Sequence, residues 1–186
     1  MRIVAGRFKG RAVATPAHEG VRPTSDRVRE AVFNILSHGV REFDIAGTRV
    51  IDLFAGTGAL GLEALSRGAA YCLFVEQDAR SRALVRRNVE AFELTGVTRI
   101  WRRDAIDLGP AGNITPFDLA FIDPPYGQGL GDKALASLML GGWLRPGAIA
   151  VLEEARGNVV SLALGLEEID RRAWGDTEVR ILAARG

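Results

Sequence analysis

The sequence is poor in several features, each of which would have opened a class of function. It holds one cysteine, Cys72, and two histidines, His18 and His38, in 186 residues. A single cysteine excludes an internal disulfide, and no His, Cys and Asp cluster has the spacing of a metal site, so no metal is expected. Long hydrophobic runs are missing as well. The longest, Ala69 to Val75, has seven residues, against the roughly 18 needed to span a bilayer. The opening MRIVAGRFKG alternates charge and apolarity and does not read as a signal peptide. A cytoplasmic protein that does not engage a membrane is therefore expected. Lysine is scarce too, with only Lys9 and Lys133, so arginine carries the positive charge.

What is present suffices for a folded core. The composition is 47% hydrophobic, and the length suits one domain with an appendage. The net charge of +1 conceals an uneven distribution. Residues 1–40 carry seven basic against three acidic residues, a balance of +4, which leaves −3 for the rest. A basic segment on a mildly acidic body points to an anionic macromolecular partner. A solvated arginine-rich face is the plainer alternative. No obligate protein partner is evident.

Residues Arg2 to Gly6 and Gly10 to Thr15 alternate and are joined by a glycine-flanked turn, which predicts a small β-hairpin. Val28, Ala31, Val32, Ile35 and Leu36 recur at helical spacing, so a helix is expected from Thr24 or Ser25 to Ser37. Beyond Gly47, strands alternate with helices. Strands are expected over Arg49 to Phe54, Tyr71 to Val75, Arg99 to Arg102, Phe117 to Ile122 and Ala148 to Glu153, with a helix near Asp132 to Leu140. This is the α/β pattern of a mostly parallel, doubly covered sheet. Leu166 to Arg172 and Glu178 to Ala183 read as a closing C-terminal antiparallel hairpin.

Two stretches carry chemistry. Asp52-Leu-Phe-Ala-Gly56-Thr-Gly58-Ala-Leu-Gly61 follows the first strand of this array and opens a helix, and Glu76 stands 20 residues after Gly56 at the end of the next strand. Glycines allow a sharp turn and close approach of backbone to a ligand, while an acid at that distance can chelate ribose hydroxyls. These features alone fit either a nicotinamide dinucleotide or S-adenosylmethionine. Asp52 favours the second, because a carboxylate suits an ammonium and repels a pyrophosphate. Asp104, at the end of the third strand, can accept from an adenine amine, with a helix cap or a partner of Arg102 or Arg103 as the alternative.

The second stretch is Asp123-Pro124-Pro125-Tyr126 at the end of Phe117 to Ile122. Two prolines fix φ and donate nothing, so the loop after Asp123 is stiff and has free carbonyls. Asp123 and the Pro124 carbonyl can accept both hydrogens of an exocyclic amine while Tyr126 stacks on the ring that carries it. A packed chain-reversing turn is the alternative for the tetrapeptide in isolation.

Together with Arg2-Ile-Val-Ala-Gly6, Lys9-Gly-Arg11, Arg22-Pro-Thr24 and Arg27-Val-Arg-Glu-Ala-Val-Phe-Asn34, these motifs resemble the bacterial 16S ribosomal RNA guanine-N2 methyltransferase family (RsmD type). The resemblance covers residues 1 to about 154. It implies a Rossmann-like class I methyltransferase fold and S-adenosyl-L-methionine as cofactor. The implied substrate is 16S rRNA within a small-subunit assembly particle. By that resemblance Asp52, Phe54, Gly56, Gly58, Glu76, Gln77, Asp104 and Ala105 map to the cofactor pocket, and Asp123, Pro124, Pro125 and Tyr126 to catalysis. Residues 1–20 become an RNA-contacting extension of a catalytic domain over 21–186, with Arg7, Lys9, Arg11, Arg22, Arg27 and Arg29 as phosphate ligands. Related adenine enzymes often have Asn where this chain has Asp123, and the residues themselves leave guanine and adenine both open. An NAD-dependent oxidoreductase and a non-catalytic RNA-binding sensor remain as rivals, and neither gives the Pro-Pro-Tyr loop a role.

Overall fold

Short apolar runs separated by amphipathic segments become, in the computed structural model, one sheet with helices on both faces. Residues 1–17 and 25–186 are described. In chain order the elements are α1 (Asp26–Asn34), β1 (Arg49–Leu53), α2 (Ala59–Ser66), β2 (Tyr71–Val75), α3 (Ala79–Ala91), β3 (Thr98–Trp101), β4 (Phe117–Ile122), α4 (Leu130–Leu140), β5 (Leu144–Ala155), β6 (Leu166–Trp174) and β7 (Thr177–Ala184). The strand order is β3-β2-β1-β4-β5-β7-β6. The first five strands are parallel, and β7 runs antiparallel to both β5 and β6. No helix among the described residues is long and apolar enough to cross a membrane.

Because side chains alternate across a strand, the sheet supplies two cores. Val50, Cys72, Phe74, Leu119, Phe121 and Val151 pack on one face against α1, α2 and α3. Ile51, Leu73, Ala120 and Leu152 pack on the other against α4 and the segment around Leu108. The helix expected to reach Ser37 keeps α geometry only to Asn34. Ile35–Gly39 continues as a wider π turn closed by the Val40 N–H on the Ile35 carbonyl at 3.1 Å. Ser25 caps α1 by accepting from the Val28 N–H, which satisfies one orphan donor of the first turn.

The seat of α2 is set by a missing side chain. A Cβ on Gly61 would lie 2.4 Å from Phe74 Cε1 and 2.6 Å from Cys72 Sγ. Only glycine therefore lets the helix rest directly on β2.

The other side of α2 holds the amino-terminal segment. The expected hairpin forms as a short pair: the antiparallel bridge of Arg2 with Ala12 is flanked by the Ile3 N–H on the Arg11 carbonyl and the Val13 N–H on the Met1 carbonyl, each at 3.0 Å. Other donors of the segment are claimed by the helices. The Val4 and Ala5 N–H groups donate to Glu63 at 2.9 and 3.0 Å, and those of Arg7 and Phe8 donate to the Ser66 carbonyl and hydroxyl. Gly6 passes so close that a Cβ would sit 2.0 Å from the Ser66 carbonyl oxygen. Asn88 of α3 completes the attachment by accepting from the Ala14 N–H and donating to the Ala14 carbonyl.

Glu63 is fully buried and also pairs with Arg67 at 2.9 Å and with Arg29 at 3.5 Å. Removing one partner of a buried charge network leaves the others uncompensated, so Glu63→Ala should cost about 3 to 5 kcal/mol. Urea denaturation measures the loss. Amide exchange at Val4 and Ala5 should accelerate with it, and unchanged exchange there would show that Glu63 does not hold the segment.

Candidate active site

The register of the parallel strands brings the motif-bearing loops to one edge. Leu53 pairs with Val75 on one side and Ile122 on the other, and Val75 pairs with Trp101. The loops that begin at Phe54, Glu76, Arg102 and Asp123 therefore leave the sheet side by side. This is the carboxyl edge of the parallel strands. The order reverses between β1 and β4, where open α/β sheets form their ligand crevice.

On the β1–β3 side, Phe54, Gly56 and Gly58 take left-handed φ values of 56°, 57° and 79°. Phe54 does so as a non-glycine, a strained position of the kind that clusters at functional sites. Glu76 fastens this loop to β2. Its carboxylate accepts from the Gly56 N–H at 2.9 Å and from the Asp78 N–H at 2.9 Å. Arg82 then clamps the following turn by donating to the carbonyls of Glu76 and Gln77. Gln77 is exposed, and Ala105 is buried in the α4-side core. Asp104 accepts from the Ile106 N–H at 3.1 Å and so caps its own turn, while remaining half-buried at the edge.

Asp52 differs from its expected place as a counter-charge for an ammonium. It is 1% exposed and points beneath the loop, accepting from the Gly61 N–H at 3.0 Å. Burial pushes its carboxyl up to about 8, against the lowering effect of the Gly61 bond and with a further upward push from Glu76. Its structural work is to hold the first turn of α2 under the glycine loop.

On the β4–β5 side, Asp123 is half-buried, Pro124 is buried and Pro125 is exposed. Tyr126 reaches across the sheet. Its hydroxyl donates to Glu153 Oε1 at 2.5 Å and lies 3.2 Å from Thr177 Oγ1. Burial, then the hydrogen bond to Glu153, holds the phenol well above its ordinary range, so it stays protonated. The Gly127 N–H donates to Glu154.

Of the arginines and lysine expected to face phosphate, Arg7, Lys9, Arg11 and Arg27 are exposed, and Arg22 lies outside the described residues. Arg29 is a correction. It is fully buried, and its guanidinium donates to the Arg2 carbonyl and to Asp26 while pairing with Glu63. A helix position beside apolar Val28 and Val32 turns inward, and Arg29 shares their burial.

Sequence reasoning missed Glu63, Arg82, Glu153, Glu154 and Thr177. The signal for Glu63 is a lone acid in the otherwise apolar ALGLEALS. That for Glu153 and Glu154 is an acidic pair that ends the apolar run Ala148 to Leu152.

The profile of the family described as Conserved hypothetical protein 95 matches residues 1–183. The Ribosomal RNA small subunit methyltransferase D of Escherichia coli is 37% identical over 154 residues, 82% of this chain and 74% of that protein. Among solved structures, "Putative methyltransferase yhhF from Escherichia coli" superposes with a TM-score of 0.84 at 28% identity, covering 100% of this chain and 98% of the other. At the level of fold, an RNA methyltransferase from Salinibacter ruber in complex with S-adenosyl-L-homocysteine gives 0.63 at 14% identity, over 88% and 94% of the two chains. The architecture is that of the class I S-adenosylmethionine-dependent methyltransferases.

The buried carboxyl gives the site a pH signature. An unfolded aspartate ionises near 3.8, so between that pH and 8 folding takes up a proton and stability falls as pH rises. An Asp52→Asn variant keeps an acceptor for the Gly61 N–H but cannot ionise at this position. It should lose less stability than the wild type between pH 5 and 7.5, by up to about 1.4 kcal/mol per pH unit. Urea titrations at the two pH values decide it, and equal slopes would remove Asp52 as the source.

Proposed function

We propose, from the premise that the chain belongs to the Conserved hypothetical protein 95 family, that it methylates the exocyclic N2 amine of a guanosine in small-subunit ribosomal RNA, with S-adenosyl-L-methionine as cofactor. The observation that carries this reading is the meeting of two loops at the β1/β4 edge. One is the Glu76-fastened glycine loop, and the other is Asp123 to Tyr126. The name borne by the Escherichia coli relative supports the RNA substrate.

The residues fit the cofactor. The left-handed backbone at Gly56 leaves an open cradle, where a Cβ would meet nothing nearer than the Phe54 carbonyl oxygen at 3.9 Å, while Gly58 lets the loop close on the core, since a Cβ there would sit 3.2 Å from Phe74 Cε1. Each Glu76 oxygen that accepts one N–H has a second lone pair for a ribose hydroxyl. Asp104 would receive the adenine amine. Phe54 and Gln77 would line the nucleoside, Ala105 packs in the core behind the edge, and Asp52 supports the loop from below. When bound, the cofactor supplies an electrophilic methyl group on a sulfonium.

The remaining work falls to the β4 loop. A guanine amine is a poor nucleophile because its lone pair is delocalised into the ring. Asp123 and the Pro124 carbonyl accept its two hydrogens, favouring a pyramidal nitrogen with its lone pair aimed toward the glycine loop. Pro125 stiffens the turn, and Tyr126 supplies a stacking face for a base taken out of its helix or loop. The Tyr126 hydroxyl is not the base, since its proton is committed to Glu153. A nicotinamide-dependent reaction would leave this loop idle.

The exposed Arg7, Lys9, Arg11 and Arg27 hold phosphates flanking the target. Residues 1–20 act as an RNA-contacting extension, attached through α2 to the glycine loop, and the rest forms the catalytic domain. The substrate is rRNA in an assembling small subunit.

Incubating the protein with S-adenosylmethionine and unmodified small-subunit rRNA, followed by nucleoside mass spectrometry, tests the function. N2-methylguanosine is expected, and N6-methyladenosine or no product would overturn the reading. Two variants separate binding from chemistry. Glu76→Ala should weaken cofactor binding about tenfold or more. Asp123→Ala should cut single-turnover transfer strongly while cofactor affinity stays within about threefold. Calorimetry and quenched-flow rates measure both, and a fully active Asp123→Ala protein would defeat the amine-orienting role.

Joint replacement of Arg7, Lys9 and Arg11 by Ala should lower RNA affinity and flatten its dependence on log salt by roughly 0.7 to 0.9 for each phosphate no longer neutralised. Filter binding at several salt concentrations reads the slope. An unchanged slope would place the RNA elsewhere.

A further inference from the structure

The end of β5 carries two adjacent buried carboxylates, Glu153 at 7% and Glu154 at 5% exposure. Burying one such group is unfavourable unless it is hydrogen-bonded, and packing alone gives no reason for two in sequence. Both hold the same loop. Glu153 Oε1 accepts from the Tyr126 hydroxyl at 2.5 Å, and Glu154 Oε1 accepts from the Gly127 N–H at 3.2 Å. Val151 belongs to one core and Leu152 to the other, so strand alternation sends Glu153 and Glu154 to opposite faces. The loop is gripped from both sides of the sheet.

A third strand joins the grip. Thr177 opens β7, pairs with Ala155 of β5, and sets its hydroxyl 3.2 Å from the same phenolic oxygen. Its side is closed to solvent, since Thr177 is buried. The phenol thus sits between two fixed oxygens, one on a strand that runs antiparallel to the rest. With its hydroxyl pinned and the Pro124-Pro125 pair fixing the backbone before it, the Tyr126 ring has one orientation beside Asp123.

We propose that Glu153 and Thr177 are positioning residues for methyl transfer: through the Tyr126 hydroxyl they set the plane on which the target base stacks, and so the direction of its amine. This role rests on the methyltransferase reading above. Neither residue touches the substrate. Their effect comes through the angle of the ring, because a base that tilts with its stacking partner carries its amine off the line of attack. The C-terminal strand pair thereby acquires a part in the reaction beyond completing the sheet.

The test compares Glu153→Ala, Glu153→Gln, Thr177→Val, Tyr126→Phe and the double variant Tyr126→Phe/Glu153→Ala. Three readouts are used: single-turnover transfer to rRNA, cofactor affinity by calorimetry, and amide exchange over residues 126–131. Glu153→Ala and Tyr126→Phe should each slow transfer about tenfold, the worth of one hydrogen bond to a charged group, with cofactor affinity within about twofold. Glu153→Gln should recover most of the rate, since its amide oxygen still accepts. The double variant should be no slower than the slower single, as required when two residues act through one hydrogen bond. Exchange over 126–131 should rise in Glu153→Ala and not in Glu153→Gln.

An active wild type with an indifferent Glu153→Ala overturns the positioning role, as does a double variant that multiplies the two single losses. A wild type that transfers no methyl group to RNA overturns the parent reading instead, and shows it before any variant is made. If Glu153→Ala does not fold, Tyr126→Phe and Thr177→Val remove the other ends of the same hydrogen bonds. Wild-type rates in both would equally overturn the proposal.

Discussion

The close approach of α2 to the sheet at Gly61 is the constraint on which the rest hangs. With no side chain between the helix backbone and Phe74, α2 lies low enough for the Gly61 N–H to reach Asp52 inside β1. That hydrogen bond fixes the first turn of the helix, and the first turn fixes the glycine loop that precedes it. The far face of the same helix carries Glu63 and Ser66, which hold the amino-terminal segment. A single helix placement therefore couples the basic amino-terminal segment to the glycine loop. The coupling is made by buried hydrogen bonds, which are costly to leave unmade.

Along the carboxyl edge the two halves of the site are built differently. The β1–β3 half is backbone turned by glycine and fastened by one carboxylate, Glu76, to the neighbouring strand. Such a surface suits a ligand recognised through hydroxyls and an amine. The β4–β5 half is stiffened by proline and pinned by side chains from β5 and β7. It suits a planar group that must be held at one angle. The strand order reverses between the halves, so the crevice where they meet is a consequence of topology.

Local features make most of the fold legible. Tyr71 to Val75 is readable to the residue because it is a short apolar run between turn signals, and the glycine loop because its spacing is dictated by one strand-to-helix turn. What escapes depends on partners far away in the chain. Arg29 reads as an exposed helix charge until Glu63, in another helix, is known to lie against it. Residues 1–17 alternate as a hairpin should and pair as one, yet the donors of Ala5 and Phe8 go to a helix some 58 positions on. Tyr126 is legible as a residue at a strand end, but what orients it, Glu153 and Thr177, lies 27 and 51 residues downstream, the second in a strand without a recognisable motif. Alternation and helical spacing report which face a residue takes, and they do not report what waits on that face.

In the reaction proposed above, the glycine-loop half binds the nucleoside of the cofactor while the proline-loop half presents the amine. A crystal structure with S-adenosyl-L-homocysteine tests it most directly. The ribose hydroxyls should lie within hydrogen-bonding distance of Glu76 and the adenine amine at Asp104, with the sulfur facing Asp123 across the β1/β4 crevice. A nucleoside bound away from Glu76, or a sulfur turned from the Asp123 loop, would contradict the account.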